Sequence, residues 1–188
     1  MKKLLLPLFL FGLLLNACKK DDSNTKPSES PMAKILEDKT WVATSALAGP
    51  FELGHIFSTI TKGKITQLGC QMPEPGIYTV SLWDANSKKL LGQKSVEQTA
   101  ANKLALANLT EIIIEKDVKY IVSVNSAVNG VTKPYNYADN PSATIFPFTI
   151  GSVIFQGSAY NISKVTVFPE TFKSKRLFGY PDFTFIPD

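Results

Sequence analysis

Large apolar side chains run from Leu4 to Leu15 with only Pro7 and Gly12 between them, directly behind Met1-Lys2-Lys3. After Cys18 the pattern changes: residues 19–33 are rich in Lys, Asp, Ser, Asn and Pro and carry almost no large apolar side chain. After Ile35 it changes again, into short β-branched and aromatic runs separated by turn residues. The first block has the basic start and short apolar centre of a secretory leader. It falls short of the roughly 20 residues that cross a bilayer as a helix. The second block cannot bury enough apolar surface to order itself, so it reads as a tether. The third is the folded body. The predicted boundaries are 1–17 for the leader, 18–34 for the cysteine and tether, and 35–188 for one domain.

Within the body the apolar period is two rather than 3.6. Residues 65–72 put Leu68, Cys70 and Met72 on one face, and residues 77–83 do the same with Tyr78, Val80 and Leu82. Residues 54–61 are β-branched and aromatic, and Lys62-Gly63-Lys64 and Pro73-Glu74-Pro75-Gly76 are turns. Further strands are predicted at 89–92, 103–107, 111–115, 118–125, 143–148, 152–156, 160–168 and 182–186. The alanine-rich run Gln98 to Leu109 also fits a helix, but Leu104 and Leu106 alternate and favour strand and loop. Many short strands with Gly and Pro between them predict an all-β fold, an antiparallel β-sandwich of jelly-roll type. Two such sheets pack about 10 Å apart.

The leader ends Leu14-Leu15-Asn16-Ala17-Cys18. This resembles the lipobox of bacterial lipoproteins. The resemblance implies a diacylglycerol thioether on Cys18, cleavage just before it, and stable anchoring by two or three acyl chains. The following Lys19-Lys20-Asp21-Asp22 resembles the surface-export signal of lipoproteins in Bacteroides-like bacteria. It implies a lipid-anchored, surface-exposed place in the cell outer membrane, with the periplasmic face as the alternative.

Charge narrows the partners. Of 20 basic residues, Lys2 and Lys3 leave with the leader while all 16 acidic residues stay, so the mature chain is only weakly basic. No dense basic stripe exists, and nucleic acid is not an expected partner. Lys173, Lys175 and Arg176 form the only late basic cluster and read as a solvated loop. With Cys18 lipidated, Cys70 is the one thiol left, which rules out an internal disulfide and suggests a small buried hydrophobe. One histidine, His55, and no densely acidic loop leave no metal or other cofactor expected.

Several pieces occur in a recognisable order: Gly54-His55-Ile56-Phe57-Ser58, Gly63-Lys64-Ile65-Thr66, Thr79-Val80-Ser81-Leu82-Trp83-Asp84, Lys89-Leu90-Leu91, Val118-Lys119-Tyr120-Ile121-Val122-Ser123, Val167-Phe168-Pro169 and Tyr180-Pro181-Asp182-Phe183. Together, across residues 51–186, they resemble bacterial domain-of-unknown-function family 4082. Departures fall at Cys70, where an aromatic is usual, at Glu115-Lys116-Asp117 and at Pro181. The resemblance implies a jelly-roll module of the kind found beside secreted glycan-processing domains. It supplies no catalytic residues, and fold alone does not give function.

Candidate binding residues follow from side-chain chemistry. Tyr135, Asn136, Tyr137, Asp139 and Asn140 crowd into a stretch that reads as a loop between strands. Aromatic faces hold the C–H surfaces of sugars while planar polar groups take their hydroxyls. Trp83 and Asp84 form a second candidate, a platform with a carboxylate beside it. Their plainer reading is a strand-end aromatic closing the core and an aspartate capping a turn. Trp41, Phe178 and Tyr180 are weaker candidates of the same kind. Catalysis finds little support, because His55 stands beside no nucleophile motif and only Asp84 and Asp182 sit in motif-like settings. The sequence therefore predicts a non-catalytic glycan- or glycoprotein-binding module held at the membrane by lipid. The alternative is a structural or adhesive lipoprotein that uses a protein surface in an envelope complex.

Overall fold

The computed structural model describes residues 26–38, 41–139 and 145–188. One short helix, α1 (Pro31–Glu37), precedes an all-β body. Its first eight strands are β1 (Val42–Ala46), β2 (Phe51–Thr59), β3 (Gly63–Cys70), β4 (Gly76–Asp84), β5 (Leu90–Gln98), β6 (Ala105–Ile114), β7 (Tyr120–Asn125) and β8 (Ala127–Val128). The rest are β9 (Val131–Thr132), β10 (Tyr135–Asp139), β11 (Phe148–Ile150), β12 (Val153–Ile162), β13 (Thr171–Lys173), β14 (Leu177–Phe178) and β15 (Pro181–Pro187).

These strands make an antiparallel sandwich. The large sheet runs β11-β12-β2-β7-β4-β5, with β13 paired onto β12. Two three-stranded sheets, β15-β3-β6 and β1-β10-β14, accompany it. The chain alternates between layers, since β2 and β4 belong to the large sheet while β3 between them belongs to another. Period-two alternation decides what faces inward. Leu53 and Phe57 of β2, Tyr78, Val80 and Leu82 of β4, and Leu68 and Cys70 of β3 are all fully buried in one core. Phe57 of the large sheet stacks on Phe183 of β15 at 4.5 Å between ring centroids, which ties the layers together.

The packed body begins earlier than the predicted boundary at residue 35. Glu29 exchanges backbone hydrogen bonds with Phe185, and its carboxylate accepts from the Ser152 amide and hydroxyl. Met32 and Ile35 are 1% exposed. Asp182 of β15 reaches back to cap the helix, accepting from Ser30 Oγ (2.7 Å) and from the amides of Met32 and Ala33 (3.0 Å each). Pro31 is buried with Met32 and Ile35, Leu36 packs against the core, and a distant carboxylate supplies the cap.

Four other assignments shift, one of them the predicted 143–148, whose described part enters a strand only at Phe148, the first residue of β11. The predicted 103–107 and 111–115 are one strand, β6, with a register irregularity opposite Ile65–Gln67. The predicted 152–156 and 160–168 merge into β12 across a bulge near Gly157, and residues 163–170 leave the sheet. The supposed loop at 133–141 holds β10, paired along its length with β1 and, at Tyr137 and Ala138, with β14.

Candidate functional site

Between the end of the β2–β12 ladder and the small β1-β10-β14 sheet lies a cavity of about 200 Å³. Phe51, Leu53, Tyr135, Tyr160, Lys173 and Phe178 line it. Strand geometry explains the set. Phe51 and Leu53 are two residues apart on β2 and share a face, and Tyr160 is the cross-strand partner of Leu53, which puts it on that face too. Phe51 meets Tyr135 edge-on at 5.7 Å and Tyr160 edge-on at 5.8 Å. Phe178 closes the other side, 5.9 Å from Tyr160. Gly179 lets it do so: a Cβ there would lie 2.7 Å from Leu53 Cβ, and its φ of +77° suits glycine.

Cations sit at the mouth. Lys173 Nζ lies 6.0 Å from the Tyr160 ring centroid and is engaged in no ion pair among the described residues. Arg176 is engaged: Nε and Nη2 donate to Asp139 at 2.7 and 2.9 Å while the guanidinium lies 4.4 Å from the Tyr137 ring centroid. Its hydrogen bonds to Asp139 hold the guanidinium proton more tightly than usual. Burial raises the Tyr135 hydroxyl pKa, so it stays a neutral donor and acceptor. Neither the Tyr135 nor the Tyr160 hydroxyl is hydrogen-bonded among the described residues, so each can serve a ligand.

The candidates named from sequence divide. Tyr135 lines the cavity, and Tyr137 and Asp139 flank it on the same face of β10, held by Arg176. Phe178, a weaker candidate, is also a wall. Asn136 is corrected to a structural role. It is 4% exposed, accepts from Ser45 Oγ and donates to Gln71 O and Asn102 Oδ1, which uses its amide up. Trp83 is corrected likewise. It is 7% exposed, donates from Nε1 to Ser123 Oγ at 2.8 Å, and packs edge-on against Phe168 on the outer side of the large sheet. Asp84 caps its turn, accepting from the amides of Asn86 and Ser87 and from Ser87 Oγ, contacts that hold its carboxyl below the usual range. Tyr180 is buried and Trp41 packs on Phe148 at 5.5 Å. Asn140 and Cys18 lie outside the described residues.

Sequence reasoning missed Phe51, Tyr160 and Lys173. The first two look like ordinary strand aromatics, and nothing local distinguishes a cavity wall from core.

Two further polar groups are sealed in the sheet. Glu52 is fully buried and takes hydrogen bonds from Ser123 Oγ (2.5 Å) and Asn125 Nδ2 (2.9 Å). Burial nevertheless pushes its carboxyl up to about 7. His55 Nδ1 lies 3.1 Å from Ser158 Oγ, which itself donates to Arg176 O, so the imidazole is the donor of that pair. Burial lowers its pKa to about 3. Among the described residues no carboxylate hydrogen-bonds to this pair. No group of three metal-ligating side chains occurs among the described residues. A scan against family models and a search of curated proteins each find no match for this chain.

Proposed function

We propose that this chain is an exported, lipid-anchored envelope protein whose body binds a glycan or glycoprotein in the aromatic cleft. The observation that carries the reading is the convergence of four rings, Phe51, Tyr135, Tyr160 and Phe178, around one cavity with two uncommitted tyrosine hydroxyls. Aromatic walls with a few polar groups suit the alternating C–H and O–H surface of a pyranose. The volume is below the 300–1,000 Å³ typical of drug-sized ligands, so the cleft takes a single ring or terminal residue, with weak affinity per site. The lipobox-like Leu14 to Cys18 segment supports the anchor.

Affinity electrophoresis through polysaccharide gels tests the binding. Tyr160→Ala should abolish retardation, whereas Tyr160→Phe, which keeps the ring, should retain most of it. Retardation that Tyr160→Ala leaves untouched would refute the cleft as the binding site. The anchor has its own test: labelled palmitate should enter the wild-type chain and not Cys18→Ala.

A second reading, a protein-binding envelope component, draws on Ile162 and Phe172. They are 76% and 59% exposed on the strands beside the cleft. Cross-linking in intact cells that captures one protein partner, with no polysaccharide bound, would favour it.

A further inference from the structure

We infer that the sugar residue bound in this cleft is anionic, and that Lys173 is the residue that selects it. The inference rests on the glycan reading and sharpens it.

Of the six residues lining the cavity, five are aromatic or aliphatic and one is charged. Register places that charge deliberately. Lys173 pairs with Ser158 across β12 and β13, on the face that also carries Tyr160, while its neighbour Phe172 points to the other side. Its Nζ lies above the Tyr160 ring, the same surface a sugar would stack on. The nearby guanidinium of Arg176 is already matched twice by Asp139, so the mouth keeps one unmatched positive charge among the described residues.

A ligand entering between Tyr160 and Phe178 strips water from Nζ. Without a matching group that desolvation is unfavourable. A sugar hydroxyl compensates in part. A carboxylate or sulfate compensates better, because a charge-assisted hydrogen bond is roughly twice as strong as a neutral one. An aromatic box alone would equally suit a quaternary ammonium ligand. Lys173 occupies that position with its own cation and repels such a ligand. The shared chemistry selected is thus a pyranose ring bearing one negative charge.

The full chain, purified in detergent, is run through native gels containing matched polymers. Polygalacturonate is paired with its methyl ester, and dextran sulfate with dextran. At least one charged polymer should retard the protein while its neutral counterpart does so far less. Lys173→Gln should weaken that retardation roughly tenfold, and Tyr160→Ala should remove it. Lys62→Gln, a lysine in the turn at the far end of β2 that pairs with Glu115, should leave it unchanged. Retardation by polygalacturonate points to a uronate, and by dextran sulfate alone to a sulfated sugar. Equal retardation by a neutral counterpart, or a Lys173→Gln protein that behaves as wild type, overturns the anionic ligand. The cleft reading survives that result as long as Tyr160→Ala weakens binding. No retardation by any polymer overturns both, as does retardation by charged polymers that Tyr160→Ala does not affect.

Discussion

Single residues carry the sharpest consequences, and Glu52 carries one that pH exposes. Its carboxyl titrates near 7 in the fold against an ordinary 4.5, because burial disfavours the charge more than Ser123 and Asn125 favour it. Between those values the folded state holds a proton that the unfolded chain has released. Stability from this group is therefore present below 4.5 and is lost as pH rises through 7. The loss amounts to about 3 kcal/mol. Glu52→Gln imitates the protonated acid at every pH. Urea unfolding of both proteins from pH 5 to 8 should show the variant gaining on wild type by most of that amount. A constant difference across the range would contradict it. His55 works in the opposite sense, its stability present above 6.5 and lost as pH falls toward 3. The comparison with Glu52→Gln cancels that contribution. At this scale the sequence was partly legible. Tyr135, which lines the cavity, could be picked out as a candidate because aromatic, amide and acid residues crowd around it. Asp84 could be read as a turn cap. Glu52 and Tyr160 could not be singled out, since their roles depend on which strand lies beside them and what covers the face.

Elements show where pattern reading succeeds and where it stops. Alternation in β3 and β4 predicted their inward faces correctly, because a strand with one buried face cannot slip by one residue without turning that face out. The stretch at 133–141 read as loop because its residues are polar and proline flanks them. Pairing with β1 overrides that local preference, and it also fixes Tyr135 facing the cleft and Asn136 facing away. Helix α1 was hidden for a similar reason. Its seven residues would not hold as an isolated helix; packing of Met32 and Ile35 and the cap from Asp182 hold it. Two outcomes follow. Asp182→Ala should cost about 3 kcal/mol, since several buried donors lose their acceptor at once. A chain starting at residue 26 should unfold at the wild-type denaturant midpoint, while one starting at residue 35 should unfold at a clearly lower one. If the shorter chain matched the longer, the N-terminal clasp would contribute nothing.

For the whole molecule, the position of the N-terminus relative to the cleft is decisive. Glu29 docks beside Ser152, next to the start of β12, whereas the cleft is built around Tyr160 near its end. Seven steps of strand separate Val153 from Tyr160, roughly 23 Å. If Cys18 carries the proposed lipid and the following residues form the tether expected from their composition, the eleven residues up to Glu29 would have a root-mean-square span of about 18 Å. That span is shorter than the strand distance, so on the proposed anchor we expect the β11–β12 end to lie nearer the bilayer on average and the cleft to face away from it. Single fluorophores on Ile60→Cys and Ile162→Cys test this orientation. Both positions are exposed, Ile60 bonded to Ser152 at the near end and Ile162 beside Phe51 at the far end. Cys70 is fully buried and its thiol is pushed up to about 12, so it does not compete for label. With the lipidated protein in vesicles carrying nitroxide lipids, the Ile60 label should be quenched markedly more than the Ile162 label. Equal quenching would mean the body tumbles freely on its anchor, and stronger quenching at Ile162 would place the cleft against the membrane, where a polysaccharide could not reach it.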